Sequence, residues 1–256
     1  MARRRLDTEM VARGLADDLE AAHRAIDARA VIIDGAPGLK PGTLVSSDSH
    51  ISVDTGRRFV SRGGDKLDGA LEDFGLDVAG LRCLDAGAGS GGFTDCLLRR
   101  GAAEVVAVDV GYGQFDYRLR TDPRVTLYER TNVREVPDKG PYDLVVGDLS
   151  FVSLRSLART LAELAGGSGV CLLLVKPQFE VPREQVGPGG IVTDPVARQE
   201  AIRATVQALD AQGLGAAGVA ASRLKGAAGN QEFFVMARAG AQTDRDGISA
   251  ALESLG

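Results

Sequence analysis

The amino-acid sequence predicts an α/β fold, in which a doubly wound, mostly parallel sheet of seven strands follows a small α+β domain. The chain has 256 residues, 44% of them hydrophobic, which is enough to bury a full core. From Lys66 onward, apolar segments typical of buried strands alternate with segments of helical periodicity. Such alternation is typical of a parallel sheet with helices on both faces, whose ligand site lies beyond the carboxyl ends of the strands.

The main domain begins with a helix predicted around Leu67–Phe74, and strands and helices then alternate. The predicted strands are 81–85, 105–110, 125–129, 142–147, 170–175, 216–221 and 232–237, and the predicted helices are 91–100, 114–120, 154–165 and 195–212. The domain boundaries that follow are 1–55 for the small domain, 56–63 for a linker, 64–240 for the main domain and 241–256 for a polar tail with one short helix.

The small domain has its own pattern. Two helical stretches, around Leu6–Leu15 and Ala22–Ala30, precede a short strand at Val31–Ile33 that enters a turn. A polar stretch and a second apolar segment, Ile51–Val53, follow. This order predicts a compact module of two helices and a hairpin.

The composition excludes several classes of function. No apolar run approaches the roughly 20 residues that a membrane-spanning helix needs, and the first residues lack the apolar stretch of a signal peptide. The two histidines, His23 and His50, both precede the main domain, so a histidine-based triad or zinc site is not expected there. We therefore expect a cytoplasmic protein that uses no metal and has no membrane partner. The formal net charge of −5 would also be unusual for a broad nucleic-acid-binding surface.

A glycine-rich turn follows the first predicted strand of the main domain. That strand ends in Asp85, and Gly87, Gly89, Gly91 and Gly92 come next. The missing side chains let a ligand approach the backbone, and a helix begins at the end of the turn. Three of these glycines also fit the G-x-G-x-x-G pattern of dinucleotide sites. The turn alone therefore indicates either a nicotinamide dinucleotide or S-adenosylmethionine.

Acidic residues at strand ends distinguish these two cofactors. Asp85 can meet the cationic amino-acid end of S-adenosylmethionine, whereas it would face the pyrophosphate of a dinucleotide unfavourably. Asp109 ends the second strand, where a carboxylate can bind the ribose hydroxyls of either cofactor. Asp148 ends the fourth strand, where methyltransferases place the residue that faces the transferred methyl group. We therefore expect S-adenosylmethionine, bound by these acids and by the turn as far as Phe93.

Segments spread over nearly the whole chain resemble one known family. They are Ser61–Leu67, Asp85–Thr94, Val110–Gln114, Glu129–Asn132, Asp148–Phe151, Val175–Glu180, Gln185–Gly190 and Gly229–Phe234. They are similar to those of the TlyA (haemolysin A) group of ribosomal RNA 2′-O-ribose methyltransferases. The resemblance implies an S4-like RNA-binding domain and a Rossmann-like class I methyltransferase domain similar to FtsJ. It also implies S-adenosylmethionine as cofactor, Asn132 in its site, and RNA, most simply a ribosomal subunit, as partner.

The resemblance further maps a Lys-Asp-Lys-Glu tetrad onto Lys66, Asp148, Lys176 and Glu232. The predicted topology agrees with this, because Asp148 and Lys176 end adjacent parallel strands and Lys66 opens the helix before the first strand. Glu232 begins the last strand, which starts at the same edge of the sheet if it runs antiparallel. A ribose hydroxyl must lose its proton as it attacks the methyl group in line, so we expect Lys176 to accept that proton. The two acids would position the lysines and balance their charge.

The small domain departs from the family in its charge. Asp17-Asp18 stands where such domains carry Ser-Arg, and the first 60 residues hold nine basic and nine acidic side chains. Phosphate neutralisation supplies most non-specific RNA affinity, so few basic residues remain for it. The candidate RNA-binding residues are two short basic groups, Arg3, Arg4 and Arg5 at the start and Arg57, Arg58 and Arg62 in the linker.

Three functions are consistent with these observations. The first is a 2′-O-ribose methyltransferase of structured RNA, which the retained RNA-binding-type domain favours. The second is a methyltransferase of a small-molecule hydroxyl, which the acidic balance favours. The third is a non-catalytic RNA-binding or haemolysin-like protein, which the complete tetrad and the lack of an amphipathic lytic segment disfavour.

Overall fold

A computed structural model describes residues 3–53 and 58–255 of the chain. The described residues divide into two compact units. The first comprises the residues up to Val60 together with Asp116–Arg118, and the second comprises Ser61–Phe115 and the residues from Leu119 onward. The predicted boundary between domain and linker, at residues 55 and 56, lies outside the described residues, as does Arg57.

The first unit contains the two predicted helices and the two predicted strands, with three further short strands. Its elements are β1 (Arg3–Arg5), α1 (Leu6–Ala12), α2 (Leu19–Asp27), β2 (Val31–Ile33), β3 (Ala36–Pro37), β4 (Leu44–Ser46) and β5 (Ile51–Val53). Strand β2 pairs antiparallel with both β3 and β5, and β1 pairs antiparallel with β4. Leu6, Met10, Ile26 and Val31 belong to the core of this unit.

The acid that departs from the family pattern in this unit has a structural role. Asp18 is the N-cap of α2, and its carboxylate accepts a hydrogen bond from the backbone N–H of Ala21 at 2.7 Å. A short polar side chain at this position satisfies one of the N–H groups that a helix start leaves unpaired. The helix therefore explains an acidic residue at this point of the chain.

The second unit is a twisted sheet with helices against it. Its strands are β6 (Arg82–Ala86), β7 (Glu104–Val108), β8 (Val125–Tyr128), β9 (Leu144–Gly147), β10 (Val170–Val175), β11 (Leu214–Ala221) and β12 (Phe233–Ala239). Its helices, together with the short one that crosses the boundary of the two units, are α3 (Arg62–Asp73), α4 (Gly92–Arg99), α5 (Tyr117–Arg120), α6 (Ala158–Ala165), α7 (Pro177–Glu180), α8 (Pro195–Asp210) and α9 (Arg245–Ser254).

Among the described residues the strands of this sheet lie in the order β11-β12-β10-β9-β6-β7-β8. The pairs β9–β10, β6–β9, β6–β7 and β7–β8 are parallel, and β12 is antiparallel to both β10 and β11. The order in which successive strands are added reverses at β6, because β7 and β8 lie on one side of it and β9 on the other. The carboxyl ends of strands beside such a reversal form a crevice in which ligands bind. The predicted seven-stranded, mostly parallel sheet is confirmed, and its last strand, β12, runs antiparallel.

Buried strands hold this sheet together. Apart from Arg82, Asp85 and Glu104, the side chains of β6, β7, β9 and β10 are apolar, and most are buried, as expected for strands covered by helices on both faces. Val106, Val145 and Leu173, from β7, β9 and β10, belong to one core. A rigid sheet of this kind fixes the positions of residues at the strand ends.

Three elements differ from the sequence prediction. Helix α3 begins at Arg62, inside the predicted linker, so Lys66 lies one turn into the helix instead of opening it. The helix predicted at 114–120 is only the short α5. The short helix predicted in the polar tail is present as α9, but its Ile248 and Leu252 are buried in the core of the sheet unit. The four-residue spacing of these two apolar residues places them on one face of the helix.

No helix in residues 3–53 and 58–255 has the length and apolar character needed to cross a membrane.

Candidate active site

The four residues of the predicted tetrad lie at or near one edge of the sheet. Asp148 follows β9 and Lys176 follows β10, both at carboxyl ends. Glu232 precedes β12, whose antiparallel direction brings its start to the same edge. Val175 pairs with Phe233 in the register of β10 and β12, so Lys176 and Glu232 are opposite each other one residue beyond that pair.

Lys176 forms the first of two lysine–acid pairs. Its Nζ atom lies 2.6 Å from Asp148 Oδ1, and it donates a hydrogen bond of 2.7 Å to Ser150 Oγ. The contact with Asp148 is an ion pair. Lys176 is 9% exposed, so its charge is held largely out of water and is balanced by the adjacent carboxylate. One lysine nitrogen is thus positioned by two groups of the loop after β9.

Lys66 forms the second pair, with Glu232. Its Nζ atom donates a short hydrogen bond to Glu232 Oε2, and both residues are buried. Arg62, one turn earlier on α3, donates a hydrogen bond of 2.8 Å to the carbonyl of Lys225, in the segment that leads to Glu232. Helix α3 and the start of β12 are therefore joined at two points. The structure thus resolves the tetrad into two pairs, Lys66–Glu232 and Lys176–Asp148.

A cleft of about 480 Å³ opens at this edge of the sheet, within the size range of small-molecule sites. The predicted residues that line it include Gly87, Gly89, Gly92, Phe93, Asp109, Asp148 and Lys176. Gly89 has φ +54°, and a Cβ atom there would meet open space, with no described atom within 4 Å. The glycine turn therefore leaves its backbone accessible from the cleft.

Two further glycines of the turn are required by close packing. A Cβ at Gly87, where φ is +84°, would lie 2.9 Å from the carbonyl oxygen of Asp148. Gly91 is the N-cap of α4 with φ +93°, and a Cβ there would lie 2.6 Å from Leu119 Cδ1. Only glycine fits a left-handed position this crowded. Gly87 thus lets the turn approach the strand end that carries Asp148.

Asp85 lies beneath the turn and is fully buried. Its Oδ2 atom accepts hydrogen bonds from the backbone N–H and the hydroxyl of Thr94, at 2.9 and 2.7 Å. Its Oδ1 atom has no hydrogen-bond partner among the described residues. Burial raises the pKa of Asp85 to about 7, the carboxylates of Asp148 and Asp109 act in the same direction, and the bonds from Thr94 oppose it. A cationic ligand group would relieve the cost of this buried carboxylate.

Asp109 is held by backbone groups. Its Oδ2 atom accepts a hydrogen bond from Gly89 N at 2.8 Å, and its Oδ1 atom accepts one from Gly111 N at 2.6 Å. Each carboxylate oxygen can accept more than one hydrogen bond. The side chain is therefore fixed in orientation at the cleft and keeps acceptor capacity for ribose hydroxyls.

These observations fit S-adenosylmethionine. Asp85 carries an unpartnered buried oxygen for the ammonium end, the open backbone at Gly89 lies beside Asp109, and the cleft has the volume of a small-molecule site. Among the described residues, no group of three or more His, Cys, Asp or Glu side chains could hold a metal ion.

The lining of the cleft does not include five of the predicted residues, which are Lys66, Asp85, Gly91, Asn132 and Glu232. Asn132 uses its side chain to accept a hydrogen bond from Arg134 N at 3.0 Å, although its neighbours Thr131 and Val133 line the cleft. Phe93 lines the cleft and stacks on Phe234 with ring centroids 6.1 Å apart. Asn132 thus shapes the backbone beside the site, and its side chain has a local structural role.

The candidate RNA-binding arginines of the first unit are engaged by its own acids. Arg5 Nη2 lies 2.6 Å from Asp7 Oδ2, and Arg4 Nη1 lies 3.5 Å from Glu9 Oε2. Arg3 is exposed on β1. These pairs reduce the charge that this unit can offer to phosphates.

The two described arginines of the predicted linker, Arg58 and Arg62, also contact protein groups. Arg58 lies over the ring of Phe59, with 4.9 Å between the guanidinium carbon and the ring centroid. Arg62 bonds to the carbonyl of Lys225, as described above.

The sequence did not single out two residues that the structure places at the site. Phe151 lines the cleft, is 91% exposed and has φ +62°, a left-handed conformation that is uncommon for a bulky residue. Ser150 binds Lys176. Both lie in the segment Asp148–Phe151 that carried the family resemblance, so their proximity to Asp148 was the signal that could have identified them.

The sheet order, the glycine turn and the acids at the strand ends define a Rossmann-like, S-adenosylmethionine-dependent methyltransferase. Residues 59–239 match the family model described as FtsJ-like methyltransferase. The chain belongs to the FtsJ-like methyltransferases, and within them to the TlyA group. It is an S-adenosylmethionine-dependent O-methyltransferase.

Similar proteins cover almost the whole chain. The 16S/23S rRNA (cytidine-2′-O)-methyltransferase TlyA of Mycobacterium tuberculosis strain H37Rv is 51% identical over 251 residues, which are 96% of this chain and 93% of that protein. Hemolysin A of Brachyspira hyodysenteriae is 34% identical over 90% of this chain and 98% of its own length. A solved structure of a hemolysin candidate from Streptococcus thermophilus superposes with a TM-score of 0.74 at 33% identity, and the match covers 100% of this chain and 96% of that one.

Proposed function

We propose that this enzyme methylates the 2′-hydroxyl of a ribose in ribosomal RNA, with Lys176 as the base. The observation that carries the proposal is the Lys176–Asp148 pair at the mouth of the cofactor cleft, beside the exposed ring of Phe151. The mycobacterial relative, at 51% identity, is named for 2′-O-methylation of cytidine in ribosomal RNA. A ribosomal substrate would place the enzyme in the cytoplasm with the ribosome.

The cofactor contacts follow from the cleft. Asp85 would meet the ammonium group of S-adenosylmethionine, Asp109 its ribose hydroxyls, and the turn from Gly87 to Phe93 would lie against its body. When bound, the cofactor supplies an electrophilic methyl group on a positively charged sulfur. Asp148, which lies between the turn and Lys176, would face that methyl group.

The residues around Lys176 support proton transfer. In its neutral form Lys176 accepts the proton of the attacking hydroxyl, as the new O–CH₃ bond forms and the S–CH₃ bond breaks. The ammonium that results is stabilised by Asp148 at 2.6 Å and by Ser150 at 2.7 Å. The rest of the rate enhancement comes from positioning of the base and the hydroxyl for in-line attack. No covalent intermediate is needed. The Lys66–Glu232 pair gives the site a second cation whose charge is already balanced.

Phe151 favours a nucleic-acid acceptor over a small molecule. A ring that is 91% exposed beside the catalytic pair offers a face on which an unstacked base can lie, and such stacking contributes about 1–3 kcal/mol per base. Its other contact is Phe179, with ring centroids 5.3 Å apart. A small-molecule acceptor would need a covering element, and the exposure of Phe151 shows that the described residues do not cover this position.

One assay separates the three functions. The protein is incubated with methyl-labelled S-adenosylmethionine and either ribosomal subunits or a deproteinised small-molecule extract. We expect label in ribosomal RNA, at a nucleotide whose 3′ linkage resists alkaline hydrolysis because its 2′-hydroxyl is blocked. Label only in the extract would overturn the RNA proposal in favour of a small-molecule acceptor. Label in neither, with cofactor binding demonstrated, would favour a non-catalytic role.

A further inference from the structure

The buried carboxylate of Glu180 lies at the far end of the short helix that follows Lys176. Glu180 is 4% exposed and belongs to α7 (Pro177–Glu180), which begins directly after Lys176. Its side chain points to the loop after β9, the same loop that binds Lys176 through Asp148 and Ser150. Two residues four positions apart in the chain therefore contact one loop.

The contacts of Glu180 are several and directional. Its Oε1 atom accepts a hydrogen bond from Leu154 N at 2.7 Å, and its Oε2 atom accepts one from Ser153 Oγ at 2.5 Å. Arg155 donates to Oε2 at 3.3 Å and to the Glu180 carbonyl at 2.9 Å. The carboxylate thus satisfies the backbone N–H of Leu154, at the start of the helical turn Leu154–Leu157.

The loop between these anchors holds a strained conformation. Residues 149–152 lie between the Lys176 contacts on one side and the Glu180 contacts on the other, and Phe151 within them has φ +62°. A bulky residue stays in this region only where the surroundings determine its backbone. The ring contact between Phe151 and Phe179 joins the middle of the loop to the same helix.

We propose that Glu180 is a positioning residue that locks the loop 148–155 to helix α7, and thereby keeps Asp148 and Ser150 on Lys176 and Phe151 facing the acceptor. The consequence for catalysis rests on the function proposed above, whereas the lock itself does not. A displacement of about 1 Å at a reacting group can cost about 10²-fold in rate, so a loosened loop would lower methyl transfer without removing any group that touches substrate.

The chain offers a direct probe of the loop because it contains no tryptophan. Phe151→Trp introduces a single indole at the exposed ring position, and its time-resolved anisotropy reports the local motion of the loop in the folded protein. In this background we compare Glu180→Ala, Glu180→Gln and Asp138→Ala. Asp138 is the matched control, because its carboxylate also binds an arginine and a backbone N–H, but at the opposite end of β9.

Glu180→Ala should increase the amplitude of fast indole motion. Glu180→Gln should keep the amplitude of the parent protein, since an amide can accept a hydrogen bond from Leu154 N and donate one to Ser153 Oγ. Asp138→Ala should leave it unchanged. In the chain with Phe151 retained, Glu180→Ala should lower the single-turnover rate of methyl transfer to ribosomal RNA by about 10²-fold. The Kd of S-adenosylmethionine should change by less than about twofold. Glu180→Gln should recover most of the transfer rate.

Unchanged indole motion in Glu180→Ala, or equal loosening in Asp138→Ala, would overturn the lock. A loosened loop with an unchanged transfer rate would overturn its role in positioning. A wild-type protein that transfers no methyl group to RNA, but whose loop loosens in Glu180→Ala, would refute the proposed substrate and support the lock.

Discussion

Lys176 and Glu232 occupy opposed positions one residue beyond the Val175–Phe233 pair of strands β10 and β12, yet each is paired with a different partner. Lys176 binds Asp148 on the neighbouring parallel strand, and Glu232 binds Lys66 on helix α3. Two cations and two anions alternate over three strand ends and one helix, which limits the electrostatic cost of burying them.

Lys176 should be indispensable for methyl transfer. Lys176→Ala removes the base, and we expect the rate to fall by at least about 10²-fold, the lower range for general-base catalysis, while the Kd of S-adenosylmethionine changes little. Single-turnover transfer and calorimetric titration of the cofactor measure the two quantities. Lys176→Arg is the informative companion, because arginine keeps the positive charge and stays protonated. Full activity in Lys176→Arg would show that charge, and not proton transfer, is what the site requires.

Gly226 should control the orientation of Glu232. A Cβ atom at Gly226 would lie 2.5 Å from Glu232 Oε1 and 3.1 Å from its Cδ, so Gly226→Ala must displace the carboxylate that holds Lys66. We expect transfer to fall by about tenfold or more, with cofactor affinity nearly unchanged.

Gly167→Ala is the matched control for this steric test. No described atom lies within 4 Å of the Cβ position at Gly167, and neither glycine has the positive φ that would strain an alanine. The control should retain wild-type activity. Equal activity in the two alanine variants would mean that the position of Glu232 does not matter for transfer.

The sheet was predictable because its buried strands read as apolar runs, and Asp109 and Asp148 were recognisable because each directly follows such a run. Lys66, Lys176 and Glu232 were assigned from the family resemblance, and the predicted topology agreed with that assignment. Strand direction then determines which edge of the sheet carries them. The sequence placed Glu232 at this edge only on the condition that the last strand runs antiparallel, and the structure shows that β12 does so.

The partners of these side chains were not predictable. Nothing in the spacing shows that Lys66 binds Glu232, 166 positions away, or that Glu180 binds Ser153 and Leu154. The assignment of Arg62 to RNA from its charge stays a prediction, and its hydrogen bond to the carbonyl of Lys225 was not foreseen. The partner of each side chain depends on which elements are adjacent in the folded structure, and the charge of the residue alone does not determine it.

The burial of Asp85 should make stability depend on pH. Burial raises its pKa from 3.8 to about 7, so between about pH 4 and pH 7 the folded state binds a proton that the unfolded state has released. The contribution of this group to stability is therefore greatest at low pH and declines as pH rises through that window. Asp85→Asn removes the titrating group, and we expect its melting temperature, without added cofactor, to exceed that of the wild type increasingly from pH 5 to about pH 7, with the difference levelling off at higher pH.

The cofactor provides a second readout for Asp85. If its ionised carboxylate meets the ammonium group, affinity for S-adenosylmethionine in the wild type should rise as pH increases from about 5.5 to 7. Asp85→Asn should bind more weakly and lose that dependence. Equal pH profiles in the two proteins would show that Asp85 acts only through Thr94, to which it is bonded at 2.7 and 2.9 Å.

Phe151 should act on the acceptor and not on the cofactor. Phe151→Ala removes the exposed ring, so stacking of about 1–3 kcal/mol would be lost, and we expect RNA affinity or kcat/KM to fall by about 5- to 150-fold. The Kd of S-adenosylmethionine should be unchanged. Thermal stability should not fall, because alanine adopts the left-handed φ of +62° at no greater cost than phenylalanine and because little buried area is lost. Val196→Ala, at another exposed apolar side chain on helix α8, is the control for removal of surface hydrophobicity. Equal kcat/KM in Phe151→Ala and Val196→Ala would refute the stacking role of Phe151. The exposure of Phe151 would then no longer favour a nucleic acid over a small molecule as acceptor.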